Sequence, residues 1–96
     1  MAFYTYIMTC RSNTAIYTGV TGDLTKRVSQ HKLGVGSEFT AKYNITKLVY
    51  LETHETLPDA IARERKLKRW KRAWKDDLIN NMNPNWSDLS METSFL

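Results

Sequence analysis

A single carboxylate inside a strongly basic stretch is the first feature of this sequence that could do chemistry. Eight of the fourteen lysine and arginine residues fall between residues 63 and 75, and Glu64 is the only acid among them. On a helical wheel, its side chain interrupts an apolar stripe formed by Leu67, Trp70 and Trp74. A carboxylate turned toward the body of a protein needs a cation, a proton or a metal ion. The spacing alone favours an ion pair with a neighbouring lysine or arginine over a metal site.

An arginine and a histidine one helical turn apart form a second candidate pair. Leu24 and Val28 lie on the inward face of a predicted helix, and Arg27 and His31 lie on its flank. A guanidinium beside an imidazole could bind a phosphate and handle a proton. Without further context, two solvated polar residues at the border of the core are the commoner outcome.

The basic stretch itself indicates nucleic-acid contact, because lysine and arginine neutralise phosphates and release counterions. The two tryptophans within it could stack on bases, but the apolar stripe favours a place for both in the core. The basic side chains that we expect to contact phosphates are Lys66, Lys68, Arg69, Lys71 and Arg72.

The elements that must position these residues follow the order β-β-α-β-α-α. Residues 2–20 read as a β-hairpin whose alternation places Tyr6 and Tyr17 on one face of the sheet. A helix follows from residue 23 to about 33, then a loop over 37–46 and a third strand over 47–53. A helix opening at Pro58 runs to about Trp70, bends and continues to about Asn81. This order predicts an α+β fold with a three-stranded antiparallel sheet flanked by helices.

Length and composition limit what surrounds such a site. With 96 residues, 42% of them hydrophobic, the chain has room for one domain and one modest core. The net charge is +4. The single cysteine excludes an intrachain disulfide and a cysteine-based zinc site. No signal peptide or membrane span is recognised, so we expect a cytoplasmic protein with no membrane partner.

The spaced set of residues resembles the GIY-YIG nuclease domain, over roughly residues 2–82. The similar segments are Thr5-Tyr6-Ile7, Tyr17-Thr18-Gly19, Arg27, His31 and Glu64, together with the basic stretch. The nearest type is the small stand-alone member of that family. The sequence departs from the family pattern in both triplets, because the first is preceded by Tyr4 and not by glycine, and the second has Thr18 in place of isoleucine. Asp76 stands where many members have an asparagine.

The resemblance implies a role for each matched residue. Tyr6 and Tyr17 correspond to the two signature tyrosines, Gly19 to the glycine that closes the second triplet, and Arg27 to the catalytic arginine. His31 corresponds to a histidine found in many members, and Glu64 to the ligand of one divalent metal ion, Mg²⁺ or Mn²⁺. Tyr6 is the preferred general base. Because an unperturbed tyrosine is a weak base at neutral pH, this role requires a nearby cation or a histidine contact that favours the phenolate.

Three hypotheses about function remain open on the sequence. The first is a metal-dependent endonuclease that cleaves DNA by structure rather than by sequence, in repair, recombination or defence. The second is a DNA-binding module of the same fold without turnover, or a nuclease subunit that needs a protein partner. The third is a protein-interaction domain that uses the acidic tail from Asp88 onward. We expect residues 1–82 to form the nuclease-like domain and residues 83–96 a tail, with Trp86 and Leu89 either folded back or mobile.

Overall fold

The computed structural model describes residues 2–91, and its elements follow the predicted order with two additions, a short helix and a 3₁₀ turn. The strands are β1 (Phe3–Thr9), β2 (Ile16–Thr21) and β3 (Lys47–His54). The helices are α1 (Leu24–Lys32), α2 (Glu38–Lys42), α3 (Leu57–Arg69) and α4 (Arg72–Met82), followed by a 3₁₀ turn over Leu89–Met91.

The sheet has β1 at its centre, with strand order β2-β1-β3 and antiparallel pairing on both sides. The predicted α+β fold is therefore confirmed. The hairpin register places Gly19 opposite Tyr6 and Tyr17 opposite Met8. A shift in the pairing with β3 falls between Ile7 and Met8.

Each face of the sheet has its own core. On the face that packs against α1, Tyr6 and Met8 join a buried cluster with Leu24, Val28 and Leu48. On the opposite face, buried contacts link β1 and β3 to Ile79 of α4. There the Thr5 hydroxyl also donates to the carbonyl of Ala60 in α3, at 2.9 Å. We call these the α1 face and the α3 face. Strand alternation is what sends neighbouring side chains to different cores.

The short helix α2 lies in the segment that the sequence predicted as a loop. Ser37 caps it, since the Ser37 hydroxyl accepts a hydrogen bond from the Thr40 N–H at 3.1 Å. Five residues are too few to show a helical period, so the pattern alone could not indicate this helix. Just before it, Gly34 adopts φ 77°, a conformation that glycine accepts at low cost after a helix end.

The bend predicted near Trp70 is a break between two helices. Trp70 and Lys71 are both extended, so α3 ends at Arg69 and α4 begins at Arg72. The apolar stripe drawn through residues 59–75 is therefore wrong beyond Leu67. Trp74 is 52% exposed and packs edge-on against Trp70, instead of lying in the core.

Residues 83–91 fold back onto the domain. The buried Asn83 side chain donates to the Val49 carbonyl at 3.1 Å. Asp88 binds Lys32 at 2.6 Å, and Leu89 packs against the core of the α1 face. Of the two alternatives for Trp86 and Leu89, folding back is the one observed. The rest of the acidic tail lies outside the described residues. Within residues 2–91, no helix is both long and apolar enough to cross a membrane.

Candidate active site

Three aromatic side chains from three elements meet on the α1 face. The ring centroids of Tyr6 and Tyr17 are 6.3 Å apart, and the ring of His31 lies 5.9 Å from Tyr6 and 5.2 Å from Tyr17. β1 supplies Tyr6, β2 supplies Tyr17, and the last turn of α1 supplies His31. The structure thus brings together the two tyrosines and the histidine that the sequence singled out.

Hydrogen bonds link the members of this group. The Thr40 hydroxyl lies 3.1 Å from His31 Nδ1, 3.2 Å from the Ser37 carbonyl oxygen and 2.9 Å from the Ser37 hydroxyl. We assign the tautomer in which Thr40 donates to Ser37 and accepts from His31 Nδ1, which leaves Nε2 to accept from the Tyr6 hydroxyl at 3.0 Å. In that tautomer a neutral His31 faces Tyr6 as a proton acceptor.

Burial governs the acidity of this pair. The pKa of Tyr6 is raised to about 12, chiefly by burial and then by the neighbouring Tyr17. The charge of Arg27 acts in the opposite direction, and that of Glu64 adds to the increase. Burial, followed by the charge of Arg27, lowers the pKa of His31 below 6.5. Tyr6 is thus a neutral phenol at rest, and the resting phenolate that its role as base was expected to require is not favoured.

Arg27 reaches the same group from one turn earlier in α1. Its Nη1 donates to the amide oxygen of Gln30 at 3.0 Å, and its Nη2 donates to the carbonyl of Gly36 at 2.9 Å. Both acceptors are neutral, and the salt bridges within residues 2–91 do not include Arg27. Its positive charge is held in place without being neutralised, as an anion site requires.

Two glycines allow the backbone to approach these rings. A Cβ atom on Gly19 would lie 2.5 Å from Cζ and from the hydroxyl oxygen of Tyr6, and 2.9 Å from the ring of Tyr17. A Cβ atom on Gly36 would lie 2.7 Å from Cε1 of His31. Both distances are shorter than any side chain tolerates, so glycine is needed at each position. Gly19 belongs to the motif found in the sequence, whereas Gly36 lies outside it.

Glu64 approaches the site from α3, which packs against β1 and β2. Its side chain is 14% exposed, and its charge acts on the Tyr6 hydroxyl. It also forms an ion pair with Lys68 one turn later, with a distance of 3.0 Å between Nζ and Oε1. The ion pair that the spacing favoured is therefore present. The Lys68 side chain is 54% exposed. Because ion pairs with exposed partners are weak, Lys68 can separate from Glu64 at low cost.

The five basic side chains expected to contact phosphates are spread over both helices and the break between them. Lys66 and Arg69 are exposed. Lys71 lies 5.6 Å from the ring centroid of Trp74. Arg72 is more constrained than the others, because it binds Asp76 at 2.7 Å and donates to the carbonyl of Thr14 at 2.8 Å.

A second polar cluster, on the α3 face, was missed by the sequence analysis. Arg63 donates through Nε and Nη2 to the Glu52 carboxylate, at 3.0 and 2.9 Å, and the Tyr50 hydroxyl also donates to that carboxylate. His54 is half-buried at the end of β3, with its Nε2 3.6 Å from Glu52. We call these four residues the Glu52 cluster. Alternation along β3 could have placed Tyr50, Glu52 and His54 on one face, but their partner in α3 has no local signal.

Metal-binding capacity on the α1 face rests on a single carboxylate. Within residues 2–91, no group of three His, Cys, Asp or Glu side chains could hold a metal ion by itself. Mg²⁺ and Mn²⁺ do not require such a group, because Mg²⁺ keeps several waters and often takes one or two carboxylates together with substrate phosphate oxygens. The half-buried Glu64, whose charge acts on the Tyr6 hydroxyl, fits that mode of binding.

Comparison with known proteins places this geometry in context. Residues 2–77 match the family model described as the GIY-YIG catalytic domain. A UPF0213 protein of Haloquadratum walsbyi is 36% identical over 75 residues, which cover 78% of this chain and 83% of that protein. A UPF0213 protein of Clostridium perfringens is 37% identical over 78 residues, with coverage of 81% and 83%. The solution NMR structure of a UPF0213 protein from Bacillus halodurans is similar with a TM-score of 0.59 and 25% identity, covering 97% of this chain and 98% of that one.

Proposed function

Because this chain belongs to the GIY-YIG catalytic domain family, a family of nucleases, we propose that it is a metal-dependent endonuclease that hydrolyses DNA phosphodiester bonds. The observation that carries the proposal is the convergence of Tyr6, Tyr17, His31 and Arg27 on the α1 face, within electrostatic reach of Glu64. Hydrolysis needs an activated water, charge stabilisation on the phosphoryl oxygens and help for the leaving oxygen. These side chains supply groups for each requirement.

Glu64 would hold the single divalent ion, Mg²⁺ or Mn²⁺. Members of the family generally use such an ion, which when bound neutralises charge on the phosphate and stabilises the leaving 3′ oxygen. To bind it, Glu64 must release Lys68, and the arrival of a phosphate gives the lysine a new partner. The exchange replaces one ion pair with two.

Arg27 binds the scissile phosphate in this proposal. Its guanidinium is oriented by Gln30 and by the Gly36 carbonyl, and it keeps further N–H donors for phosphate oxygens. Because these two partners are neutral, moving the guanidinium onto a phosphate breaks no ion pair within residues 2–91. Binding the phosphate therefore adds a charge interaction at little cost.

Tyr6 and His31 act together on the attacking water. Since the Tyr6 proton already points at His31 Nε2, the phenol oxygen presents its lone pairs to an incoming water. The pKa of about 12 disfavours a resting phenolate, so Tyr6 takes the water proton as it passes its own to His31. Tyr17 borders the same space and positions the water.

DNA is held by the basic side chains at the junction of α3 and α4. Lys66, Lys68 and Arg69 end α3, and Lys71 lies with Trp74 at the start of α4. Trp74 is an exposed ring beside a cation, so it is available to the nucleic acid in a way that a core tryptophan would not be. Lysine and arginine side chains at this junction suit phosphates, which carry no sequence information, so the expected preference is for DNA structure rather than for sequence.

The cellular setting belongs to the same proposal. We place the activity in the cytoplasm, in repair, recombination or defence, with residues 1–82 as the catalytic unit and residues 83–96 as a tail. The contact between Asp88 and Lys32 then joins the start of that tail to the helix that carries Arg27 and His31.

One specific observation supports the alternative of a DNA-binding module without independent turnover, or a subunit that needs a protein partner. The carboxylate that should bind metal is already paired with Lys68, and the proposed base is held neutral by burial. A partner or a particular DNA structure would then be needed to rearrange the site.

A nicking assay separates these functions. We expect the purified protein to nick supercoiled plasmid with Mg²⁺ or Mn²⁺ and to stop in EDTA. Glu64→Gln should abolish nicking, whereas Glu55→Gln, a change at an exposed acid between β3 and α3, should leave it unchanged. Loss of nicking in Glu64→Gln also controls for a contaminating nuclease, which would remain in that preparation. DNA retardation with no nicking of plasmid or branched DNA in either metal would contradict independent nuclease activity and favour the binding module.

A further inference from the structure

A row of aromatic rings leads away from the active site along α2. The ring of Phe39 lies 6.4 Å from that of Tyr17, with an interplanar angle of 32°, and the ring of Tyr43 lies 4.9 Å from Phe39. Phe39 is 46% exposed and Tyr43 is 44% exposed. Large aromatic rings normally bury most of their surface, so two exposed rings, one of them next to a proposed active-site residue, call for an explanation.

The helix that carries these rings is held rigidly against the site. Thr40, on the opposite side of α2, is buried and hydrogen-bonded to His31 and Ser37. Ile45, just after the helix, is also fully buried. Phe39 and Tyr43 are therefore displayed on a fixed support, and no change of the core is needed to present them.

Charge around the row complements a nucleic acid strand. The ammonium group of Lys42 lies 5.4 Å from the ring centroid of Tyr43, and the guanidinium of Arg27 lies at the other end, near Tyr17. Exposed rings with a cation at each end suit a single strand, because single-strand binding surfaces stack bases on aromatic rings and bind phosphates with cations. A protein partner would require a broader apolar patch than two rings on one helical turn.

We propose that Phe39 and Tyr43 form a stacking platform for an unpaired nucleobase next to the phosphate that Arg27 binds. The inference rests on the proposed function for the position of that phosphate, and it narrows the substrate to DNA with unpaired nucleotides beside the cut. Bases inside a duplex are stacked on their neighbours and have no free face to offer, so fully paired DNA gains nothing from the platform.

Binding measured without divalent metal tests the platform apart from cleavage. The probes are a fluorescein-labelled 20-nucleotide single strand and the duplex of the same sequence, both in EDTA. We expect Phe39→Leu and Tyr43→Leu each to weaken single-strand binding about 10-fold, the loss of one stacking contact, and to change duplex binding less than about twofold. Phe39→Tyr should bind like the wild type because it keeps the ring. Met82→Ala, a loss of exposed apolar surface on α4, should have no effect.

The outcomes separate this inference from the proposed function. Single-strand binding unaffected by both leucine variants would overturn the platform, as would equal loss for strand and duplex, even if nicking persists. Ring-dependent binding of single strands by a protein that never cleaves would overturn the nuclease and leave the platform standing. Tyr43 does not touch Tyr17, so its variant keeps the test informative if Phe39→Leu disturbs the fold. No binding of either probe by the wild type would overturn both.

Discussion

The two faces of this sheet carry almost the same set of side chains, but the arginine is paired with a carboxylate on one face and not on the other. The active-site group on the α1 face and the Glu52 cluster on the α3 face each combine tyrosine, histidine and arginine with a glutamate nearby. In the Glu52 cluster, Arg63 occupies both carboxylate oxygens, and Tyr50 and His54 surround what remains. At the active site, Arg27 is held only by neutral acceptors.

We propose that this difference distinguishes a group that stabilises the fold from a group that reacts. A compensated ion pair fixes two elements to each other, here α3 to β3, and has little left for a ligand. A cation that is oriented but not paired with an anion can still form its ion pair with the substrate. Residue types alone do not make the distinction, because both faces have them. Arg63 is also the chain neighbour of Glu64, so the Glu52 cluster helps to set how α3 presents the proposed metal ligand.

Replacing each of the two arginines with alanine gives the largest expected contrast between cleavage and stability. Arg27→Ala should reduce cleavage by about 1000-fold, because a phosphate clamp is lost, with little change in melting temperature. Arg63→Ala should lower the free energy of unfolding by about 1–3 kcal/mol, because Glu52 is left half-buried without its cation. Nicking rates at a temperature where both variants are folded, together with thermal melts, measure the two effects. A large loss of stability in Arg27→Ala would contradict the assignment of roles.

The tyrosines sharpen the same contrast. Tyr6→Phe should lower cleavage by about 100-fold, because the water loses its proton acceptor, while DNA binding persists. Tyr50→Phe removes a hydroxyl from the Glu52 cluster and should leave cleavage unchanged. Single-turnover cleavage and binding of the same DNA distinguish them. Normal cleavage in Tyr6→Phe with a loss in Tyr17→Phe would transfer the base role to Tyr17.

Sequence patterns predicted those parts of the site that are set by residues close together in the chain. Strand alternation correctly put Tyr6 and Tyr17 on one face, and helical spacing correctly put Arg27 next to His31. Both signals act within a few residues. Thr40 and Gly36 complete the hydrogen bonds of that pair, but they lie in a five-residue helix and the loop before it, where no period exists to be read. Arg63 and Glu52 meet across two elements, and no single sequence reports such a contact.

Trp74 shows how a correct pattern gave a wrong placement. The stripe through Leu67, Trp70 and Trp74 assumed one continuous helix, and the extended backbone at Trp70 and Lys71 changed the direction of everything after it. The exposure of Trp74 then moved a predicted core residue to the surface proposed for DNA.

Alanine substitutions at Gly36 and Gly34 distinguish a clash with the site from strain in the backbone. Gly36→Ala should reduce cleavage by about 10- to 100-fold, because the methyl group would displace the His31 ring. Gly34→Ala should cost about 1 kcal/mol of stability and leave cleavage intact, since its positive φ is strained for alanine but no atom lies near the added methyl group. Nicking rates and melts on both variants test this. Equal effects on cleavage would show that Gly36 does not position His31.

Lowering the pH should reduce the stability of the fold in two steps, first through His31 and then through the Glu52 cluster. This is the smallest of the expected effects. The lowered pKa of His31 means that the unfolded chain takes up a proton first, so stability falls as pH drops below about 6.5. In the Glu52 cluster, burial alone would raise the carboxyl pKa, but hydrogen bonds from Arg63 and Tyr50 lower it below 4.5, so its stabilisation is lost only at lower pH. Melts across pH 4 to 7.5 should show the earlier loss disappear in His31→Gln. An unchanged profile in that variant would contradict a buried neutral His31.

The two glutamates test the central distinction most directly. The experiment compares the wild type, Glu64→Gln and Glu52→Gln. It measures Mn²⁺ binding by electron paramagnetic resonance and the melting temperature of each protein. We expect Glu64→Gln to lose its weak Mn²⁺ binding and keep its melting temperature within about 2 °C, because Lys68 is an exposed partner. Glu52→Gln should keep Mn²⁺ binding and melt several degrees lower, about 5 °C for a domain of this size. A Glu64→Gln protein that still binds Mn²⁺ and melts early would show that Glu64 is a structural acid, and it would contradict the account.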